Sequence, residues 1–205
     1  VLLLGISLAI GYVSFDLPQA IRDVLTGQKT LAALVLIELR LPRALLGCFV
    51  GFSLGVSGAA MQGLLRNPLA EPGIIGVSGA AAFGAVAVFY FGLAGALSLA
   101  LPLGGIAGAA AATFLLYGLS GRGAGTMTLI LAGVTINSFA GALTSLALNL
   151  SPNPYAVTEI VFWLLGSLAD RSLPYVWLVL PLMVLGWALI VSAGPALDGL
   201  TLGED

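Results

Sequence analysis

The sequence predicts an all-α membrane protein, a polytopic bundle of transmembrane helices. Of its 205 residues, 60% are hydrophobic and 8% are charged, and the mean hydropathy is +1.12. These values exclude an ordinary water-soluble surface. In lipid the backbone must satisfy its own hydrogen bonds, so the chain crosses as helices or as a closed barrel. The uninterrupted apolar runs reach the roughly 20 residues that a transmembrane helix needs, and they therefore favour helices.

Six apolar runs are interpreted as spans of a single transmembrane domain that covers residues 1–205. The predicted spans are 1–15, 43–65, 73–92, 96–119, 127–150 and 174–193. Residues 155–168 follow a helix-breaking SPNP sequence and still look helical, but they are too short to cross. We predict a short helix at the membrane surface there. The chain begins at Val1 inside an apolar run, which indicates a trimmed piece rather than a signal peptide.

The charged residues all fall in connections or at span edges, so the predicted hydrophobic interiors contain no ionisable group. Proton- and sodium-coupled carriers usually need such a group, and its absence weakens an ion-coupled mechanism. There is no histidine, no HExxH motif and no pair of carboxylates within a span, which argues against an intramembrane enzyme. We predict no metal site and no cofactor. The net charge of −2 with scattered basic residues gives no basis for nucleic-acid binding.

Small residues follow one face of the second predicted span at a spacing of four. This ridge consists of Gly47, Gly51, Gly55, Ala59 and Gly63. A smooth ridge of this kind lets two helix backbones approach closely, so we assign it to helix packing. The fourth span repeats the spacing at Gly104 and Gly108.

Small uncharged polar residues form a stripe along the fifth predicted span, at intervals of three, four or seven residues. The stripe consists of Thr128, Thr135, Ser138, Ala142, Ser145 and Asn149. Such a stripe can line a water-filled pathway for a bulky solute without gripping it through charges. Alternatively, its polar groups bond back to their own helix or to a neighbouring helix. The residues alone leave both alternatives open.

Five sequence strings carry a resemblance to a known family. They are LRLPR (39–43), GAAMQGLLRNPLAEPGIIGVSGA (58–80), LILAGV (129–134), FWLLGSL (162–168) and LDGLTLG (197–203). With these strings in this order, the chain resembles the FecCD family, the permease subunits of type II ABC importers for ferric siderophores, haem and cobalamin. The resemblance implies a roughly ten-span subunit of the bacterial cytoplasmic (inner) membrane, of which this chain looks like spans one to six.

The resemblance also implies partners and an orientation. The family's permease is a homodimer that works with two cytoplasmic ABC ATPase subunits and an external solute-binding protein. Its amino terminus is cytoplasmic, so the helix at 155–168 would be external. Counting basic residues gives the reverse orientation, because the connections assigned to the outside hold more of them than those assigned to the inside. The outside set is Arg22, Lys29, Arg40, Arg43 and Arg171, against Arg66 and Arg122 inside.

Site residues follow from the same resemblance. Arg40 and Arg43 match the family's arginines that meet acidic residues of the binding protein, although interfacial arginines also snorkel to lipid headgroups. Asn67, Pro68 and Thr126 match positions at the cytoplasmic gate. The stripe of the fifth span matches the helix that lines the translocation pathway, at Thr135, Ser138, Ala142, Ser145 and Asn149.

The function predicted from the sequence is uptake of an iron(III)-siderophore, or of a related metal chelate such as haem or cobalamin, by an ATP-driven importer. The chain would form the membrane pathway and perform no covalent chemistry. The alternative is a channel or an ion-coupled secondary transporter with the same small-residue packing. Which chelate is carried is not readable from these residues.

Overall fold

The computed structural model describes residues 2–11, 16–95, 99–121, 125–151, 154–169 and 171–202, and these ranges are helical with no strand. The helices are α1 Leu2–Ala9, α2 Leu17–Leu25, α3 Leu31–Val35, α4 Leu41–Leu65, α5 Val77–Tyr90, α6 Ala100–Ser120, α7 Thr126–Leu150, α8 Pro154–Leu164 and α9 Leu173–Leu202. A π-helical turn, Leu36–Arg40, joins α3 to α4, and short 3₁₀ turns lie at Pro72–Ile75 and Leu93–Gly95.

Within the described ranges, four helices are long and apolar enough to cross a bilayer. They are Leu31–Leu65, Ala100–Ser120, Thr126–Leu150 and Leu173–Leu200. Together with the all-helical architecture of the described ranges, they fit a membrane helical bundle. The other two predicted spans correspond to α1, with 8 described residues, and α5, with 14. Residues 1, 12–15 and 96–98 of the predicted spans lie outside the described part of the chain. The count of six spans therefore stays a prediction.

The helix around the second predicted span begins at Leu31 and not near residue 43, because α3, the π turn and α4 are continuous. Pro42 explains the π turn. In a regular α-helix its ring would clash with the carbonyl of Glu38, and it has no N–H to donate. The π turn immediately before it widens the helix, and the Leu41 N–H bonds to the Leu36 carbonyl.

The chain divides into two compact units. The first consists of Val1–Val56 and Ser167–Gly194, and the second of Ser57–Gly166 and Pro195–Asp205. The first unit holds α1 to α3, the beginning of α4 and most of α9. The second holds the end of α4, α5 to α8 and the last turns of α9, and most of the predicted site residues lie in this unit.

In the first unit, an aromatic cluster holds α9 against α4. The Trp187 indole N–H donates to the Ser53 hydroxyl at 2.9 Å. Phe49 and Phe52 meet the Trp187 ring edge-on, with centroid distances of 5.9 and 4.8 Å. An indole N–H without a partner is costly in hydrocarbon, so this bond fixes the register of the two helices.

In the second unit, glycines bring α5 and α6 into backbone contact. A Cβ atom on Gly84 would lie 3.1 Å from the Cα of Gly108 and would overlap the carbonyl of Gly104. No larger residue fits at this crossing. The predicted ridge on α4 differs, because Gly51 and Gly55 have open space around them within the described residues. Helix packing by that ridge therefore stays a prediction, and the close packing of the described chain lies on α5 and α6.

Candidate docking, gate and pathway residues

Arg40 is buried and Arg43 is exposed, so the two arginines predicted to meet the binding protein differ in accessibility. Arg40 is 8% exposed, and its Nη1 donates to the backbone carbonyls of Leu8 at 2.7 Å and Ala9 at 2.9 Å. These carbonyls belong to the last turn of α1, at the negative end of the helix dipole. Arg40 therefore caps α1.

The burial of Arg40 follows from the continuous helix. Residues on its face at intervals of three or four are all buried, namely Ala33, Leu36, Arg40 and Ala44. Gly11 leaves room for the guanidinium, since a Cβ atom there would lie 2.8 Å from its Nη2. Arg43 is exposed. Of the two arginines, Arg43 is the one accessible for docking.

The predicted gate loop is a tight turn. The Asn67 side-chain oxygen accepts the Leu69 N–H at 2.9 Å, and the Asn67 carbonyl accepts the Ala70 N–H at 3.1 Å. This is the local bonding through which Asn stabilises turns. Arg66 before it is left-handed, with φ 47°. Asn67 and Pro68 are exposed, so the turn presents both of them.

A small apolar cluster anchors this loop beside the start of α7. Ala70 is buried together with Met61 and Leu65, and Leu129 and Ile130 of α7 pack against them. Thr126 is the first residue of α7 and is exposed. The structure thus brings the loop of Asn67 and Pro68 to the end of α7 that carries Thr126. Gating by these residues remains a prediction.

The polar stripe of α7 faces away from the core of the second unit. Its members Thr128, Thr135, Ser138, Ala142, Ser145 and Asn149 are all exposed. The opposite side of α7 is buried, at Ala132, Gly133, Ile136 and Ala140. The apolar side therefore holds the helix in place, and the stripe is open to another surface or to solvent.

Two members of the stripe also bond back to their own helix. The Thr135 hydroxyl donates to the Leu131 carbonyl at 2.7 Å, and the Asn149 amide donates to the Ser145 carbonyl at 2.8 Å. Back-bonding of this kind satisfies the donor without water. The stripe therefore faces outward, and the Thr135 hydroxyl and the Asn149 amide already have acceptors on their own helix. These two groups make the outward surface only weakly polar.

Asn137, which sequence reasoning did not single out, marks the crossing of α7 and the start of α5. Its side-chain oxygen occupies the space that a Cβ atom on Gly79 would need. A Cβ atom on Gly76, which has φ 74°, would lie 2.9 Å from the Asn137 backbone nitrogen. A Cβ atom on Gly133 would lie 2.7 Å from the Cα of Ile75. In the sequence, this crossing is indicated by the amide of Asn137 inside an apolar span and by the glycines in both segments that meet there.

The predicted surface helix is present as α8 and is shorter than residues 155–168. It spans Pro154–Leu164, and the chain turns at Gly166, where φ is 78°. Ile160 is fully buried, and the Trp163 ring meets Phe89 of α5 edge-on at 6.4 Å. α8 is thereby attached to the end of α5. Its placement outside the membrane stays a prediction.

Within the described ranges, no group of three or more His, Cys, Asp or Glu side chains is positioned to hold a metal ion.

The chain matches the model of a known protein family over its whole length. The model of the FecCD transport family matches residues 1–205. The chain belongs to the FecCD transport family. The resemblance seen in the five sequence strings is therefore confirmed, and this FecCD protein is a member of a family of membrane transport permeases.

Similar proteins include the uncharacterized ABC transporter permease protein YvrB of Bacillus subtilis (strain 168), 41% identical over 176 residues, which cover 83% of this chain and 49% of YvrB. The Fe(3+) dicitrate transport system permease protein FecD of Escherichia coli (strain K12) is 40% identical over 170 residues, covering 83% of this chain and 52% of FecD. Others are named as ferric enterobactin and cobalamin permeases. The chain spans about half the length of the curated relatives it matches.

A solved structure is also similar. It is a metal-chelate type ABC transporter in an inward-facing conformation, and it matches with a TM-score of 0.78 and 30% sequence identity. The match covers 99% of this FecCD chain and 62% of the solved chain.

Proposed function

We propose that this chain forms part of the membrane-spanning permease subunit of an ATP-driven importer, which takes up an iron(III)-siderophore or a related chelate such as haem or cobalamin. The observation that carries the proposal is the FecCD family match over residues 1–205. The names of FecD and of the cobalamin and enterobactin relatives support the substrate class.

The energy for transport comes from partner proteins in this proposal. The predicted spans carry no ionisable group that could couple transport to protons or sodium. ATP hydrolysis therefore takes place on separate cytoplasmic ATPase subunits, and the permease performs no covalent chemistry. The complete permease sits in the bacterial cytoplasmic (inner) membrane as a homodimer, and the ridge on α4 packs against further helices of that assembly.

The pathway follows α7. Its stripe faces away from the packed side of the helix and offers uncharged groups, of which the Thr135 hydroxyl and the Asn149 amide bond back to the helix, and this suits release of a bulky chelate more than its retention. The turn at Asn67 and Pro68 closes the cytoplasmic end together with Thr126. A proline-stiffened, hydrogen-bonded turn resists being drawn into helix, so it can act as a rigid stop.

Docking of the external binding protein uses Arg43, whose planar guanidinium can engage a carboxylate bidentately. Arg40 contributes indirectly. By capping α1 it fixes the segment of helix from which Arg43 projects. In this proposal the two arginines of the LRLPR motif have different roles, since Arg43 contacts the binding protein and Arg40 caps α1.

The docking assignment is tested by reversing one charge. Arg43→Glu in the full-length permease should weaken the binding protein's affinity roughly tenfold or more, because an attraction becomes a repulsion. Arg22→Glu, which reverses an exposed charge on α2, is the matched control and should change affinity much less. Affinity is measured by surface plasmon resonance with the permease in nanodiscs. Equal affinities for wild type and Arg43→Glu would contradict the assignment.

A further inference from the structure

The gate turn, residues 66–70, belongs to a segment that is attached to α7 at two places. The apolar cluster around Ala70 of the turn is in contact with Ile130 of α7. Asn137, about two turns further along α7, contacts Gly79 at the start of α5. At 1.5 Å per residue these two contacts lie about 10 Å apart along α7. Contacts this far apart fix the angle of the attached segment as well as its position.

The chain between these two contacts is a series of hydrogen-bonded turns. Pro72 has a restricted φ, and Gly76 ends the 3₁₀ turn in a left-handed conformation, with φ 74°. Backbone N–H groups donate from Ala70 to Asn67 at 3.1 Å, from Ile74 to Glu71 at 3.2 Å, from Gly76 to Gly73 at 3.1 Å and from Ala80 to Gly76 at 3.1 Å. The segment from residue 67 to residue 80 therefore transmits a displacement rather than absorbing it.

Asn137 fills a notch in α5 with its side chain. Its Cγ lies 3.3 Å from the position that a Cβ atom on Gly79 would take, and its Oδ1 occupies the space of that atom. The other asparagine of α7 differs, because the Asn149 amide bonds back to the Ser145 carbonyl of its own helix. Asn137 is otherwise exposed, so its amide is the part that ties it to α5.

We propose that Asn137 is a positioning residue of the gate. Its amide, seated against Gly79, locks the gate turn to α7, so that the turn and the pathway helix move as one body. This inference rests on the proposed importer function, in which the turn closes the pathway along α7. Backbone contact at Gly76 and Gly133 brings the two segments together, and the amide prevents them from sliding. The gate then opens only when α7 itself moves.

The contact is tested first by changing which residue fills the notch. Gly79→Ala alone adds a methyl group where the Asn137 oxygen lies, so it should lower the SDS concentration at which the full-length permease unfolds. With Asn137→Ala also present, the nearest remaining atom of residue 137 is its Cα at 3.8 Å, and the same methyl group should be tolerated. An equal loss from Gly79→Ala in both backgrounds would show that the two residues are not in contact.

Loss of the lock should also uncouple transport from ATP hydrolysis. In proteoliposomes with the ATPase and the binding protein, Asn137→Ala should lower uptake of a radiolabelled ferric siderophore or cobalamin per ATP hydrolysed. The expected decrease is at least about twofold, the low end of the coupling between contacting residues. Gly79→Ala combined with Asn137→Ala refills the notch and should restore part of this ratio. A wild-type ratio in Asn137→Ala would contradict the proposal.

A disulfide tests whether the gate segment and α7 move together. In a Cys48→Ser background, Gly79→Cys and Asn137→Cys place two thiols across the contact. The Cα of Asn137 is 3.8 Å from the Cβ position of Gly79, which suits a bond whose Cβ atoms lie about 3.5–4.5 Å apart. Copper phenanthroline should cross-link the two peptides while the subunit still migrates as a monomer on a non-reducing gel. Uptake per ATP should be at least as high after oxidation as after reduction.

The single variant Asn137→Cys is the control, and the oxidant should leave its uptake unchanged. An oxidised pair that no longer transports would overturn the proposal, because the gate segment would then have to move against α7. A pair that does not cross-link would also overturn it. Failure of the wild-type permease to take up substrate with ATP would instead refute the importer function. The effect of Gly79→Ala on unfolding needs no transport and would still decide the contact.

Discussion

The guanidinium of Arg40 ends against the carbonyls of Leu8 and Ala9, whereas Arg43, less than one turn further along the helix, is exposed. The LRLPR motif identifies both residues but not the difference between them. That difference depends on the π turn before Pro42 and on the position of α1, neither of which a motif encodes.

Removing the cap should destabilise the fold. Arg40→Met keeps much of the apolar stem and deletes the bonds to Leu8 and Ala9, so the free energy of unfolding should fall by about 1 to 3 kcal/mol. Arg22→Met, at an exposed position, should stay within about 0.5 kcal/mol of wild type. Unfolding of the full-length permease in mixed micelles with increasing SDS measures both. Equal stability of Arg40→Met and wild type would show that the cap contributes nothing.

The stripe of α7 is tested by its contact with water. In a Cys48→Ser background, Thr135→Cys and Ser138→Cys should react with a charged methanethiosulfonate on the order of tenfold faster than Thr113→Cys, because the reactive thiolate does not form in hydrocarbon. Thr113 on α6 is a matched control, since it is exposed and bonds back to the Ala109 carbonyl as Thr135 does to Leu131. Comparable reaction rates of the cysteines at all three positions would contradict the assignment of the stripe to the pathway.

At the scale of the helices, the glycine spacing was informative on α6 and incomplete on α4. Gly104 and Gly108 meet Gly84 of α5 in backbone contact, but Gly51 and Gly55 meet nothing in the described chain. Spacing shows that a helix has a smooth face. Which helix covers that face depends on the three-dimensional arrangement, and the chain spans about half the length of the relatives it matches.

A methyl group at the α5 and α6 crossing should be enough to disrupt it. Gly84→Ala places its Cβ against the backbone of Gly104 and Gly108, so one helix must shift, at a cost of about 1 to 3 kcal/mol. Gly118→Ala near the end of α6 adds the same methyl group to open space and should leave stability unchanged or slightly higher. The free energies of unfolding of the two variants are measured by SDS-induced unfolding and compared. A stable Gly84→Ala would contradict close packing at this crossing.

The hydropathy of the sequence indicates where most helices lie. Local interactions determine the residues at which each helix begins and ends. The helices α6, α7 and α9 overlap three of the long apolar runs. The start of the helix at Leu31 was missed, because the predicted span begins at residue 43, whereas a π turn carries the helix through Pro42. The early end of α8 depends on a left-handed glycine, Gly166, whose conformation the sequence alone leaves open.

At the scale of the whole molecule, the distribution of charge is the most consequential feature. The predicted spans lack ionisable groups, and the outward face of α7 is weakly polar. Composition predicts a membrane protein, and the positions of the charged residues predict that its spans in this chain hold no coupling residue. The substrate could not be predicted, because an uncharged stripe distinguishes poorly among chelates and the relatives' names include both iron and cobalamin systems.

The most direct test is the source of energy for transport. The full-length permease is reconstituted in proteoliposomes with its ATPase and binding protein, and uptake of a radiolabelled ferric siderophore or cobalamin is measured. Uptake should require hydrolysable ATP and should not occur with a proton or sodium gradient alone, because the predicted spans of this chain hold no ionisable group that could couple transport to either ion. Uptake driven by an ion gradient in vesicles without ATPase and nucleotide would contradict the central claim.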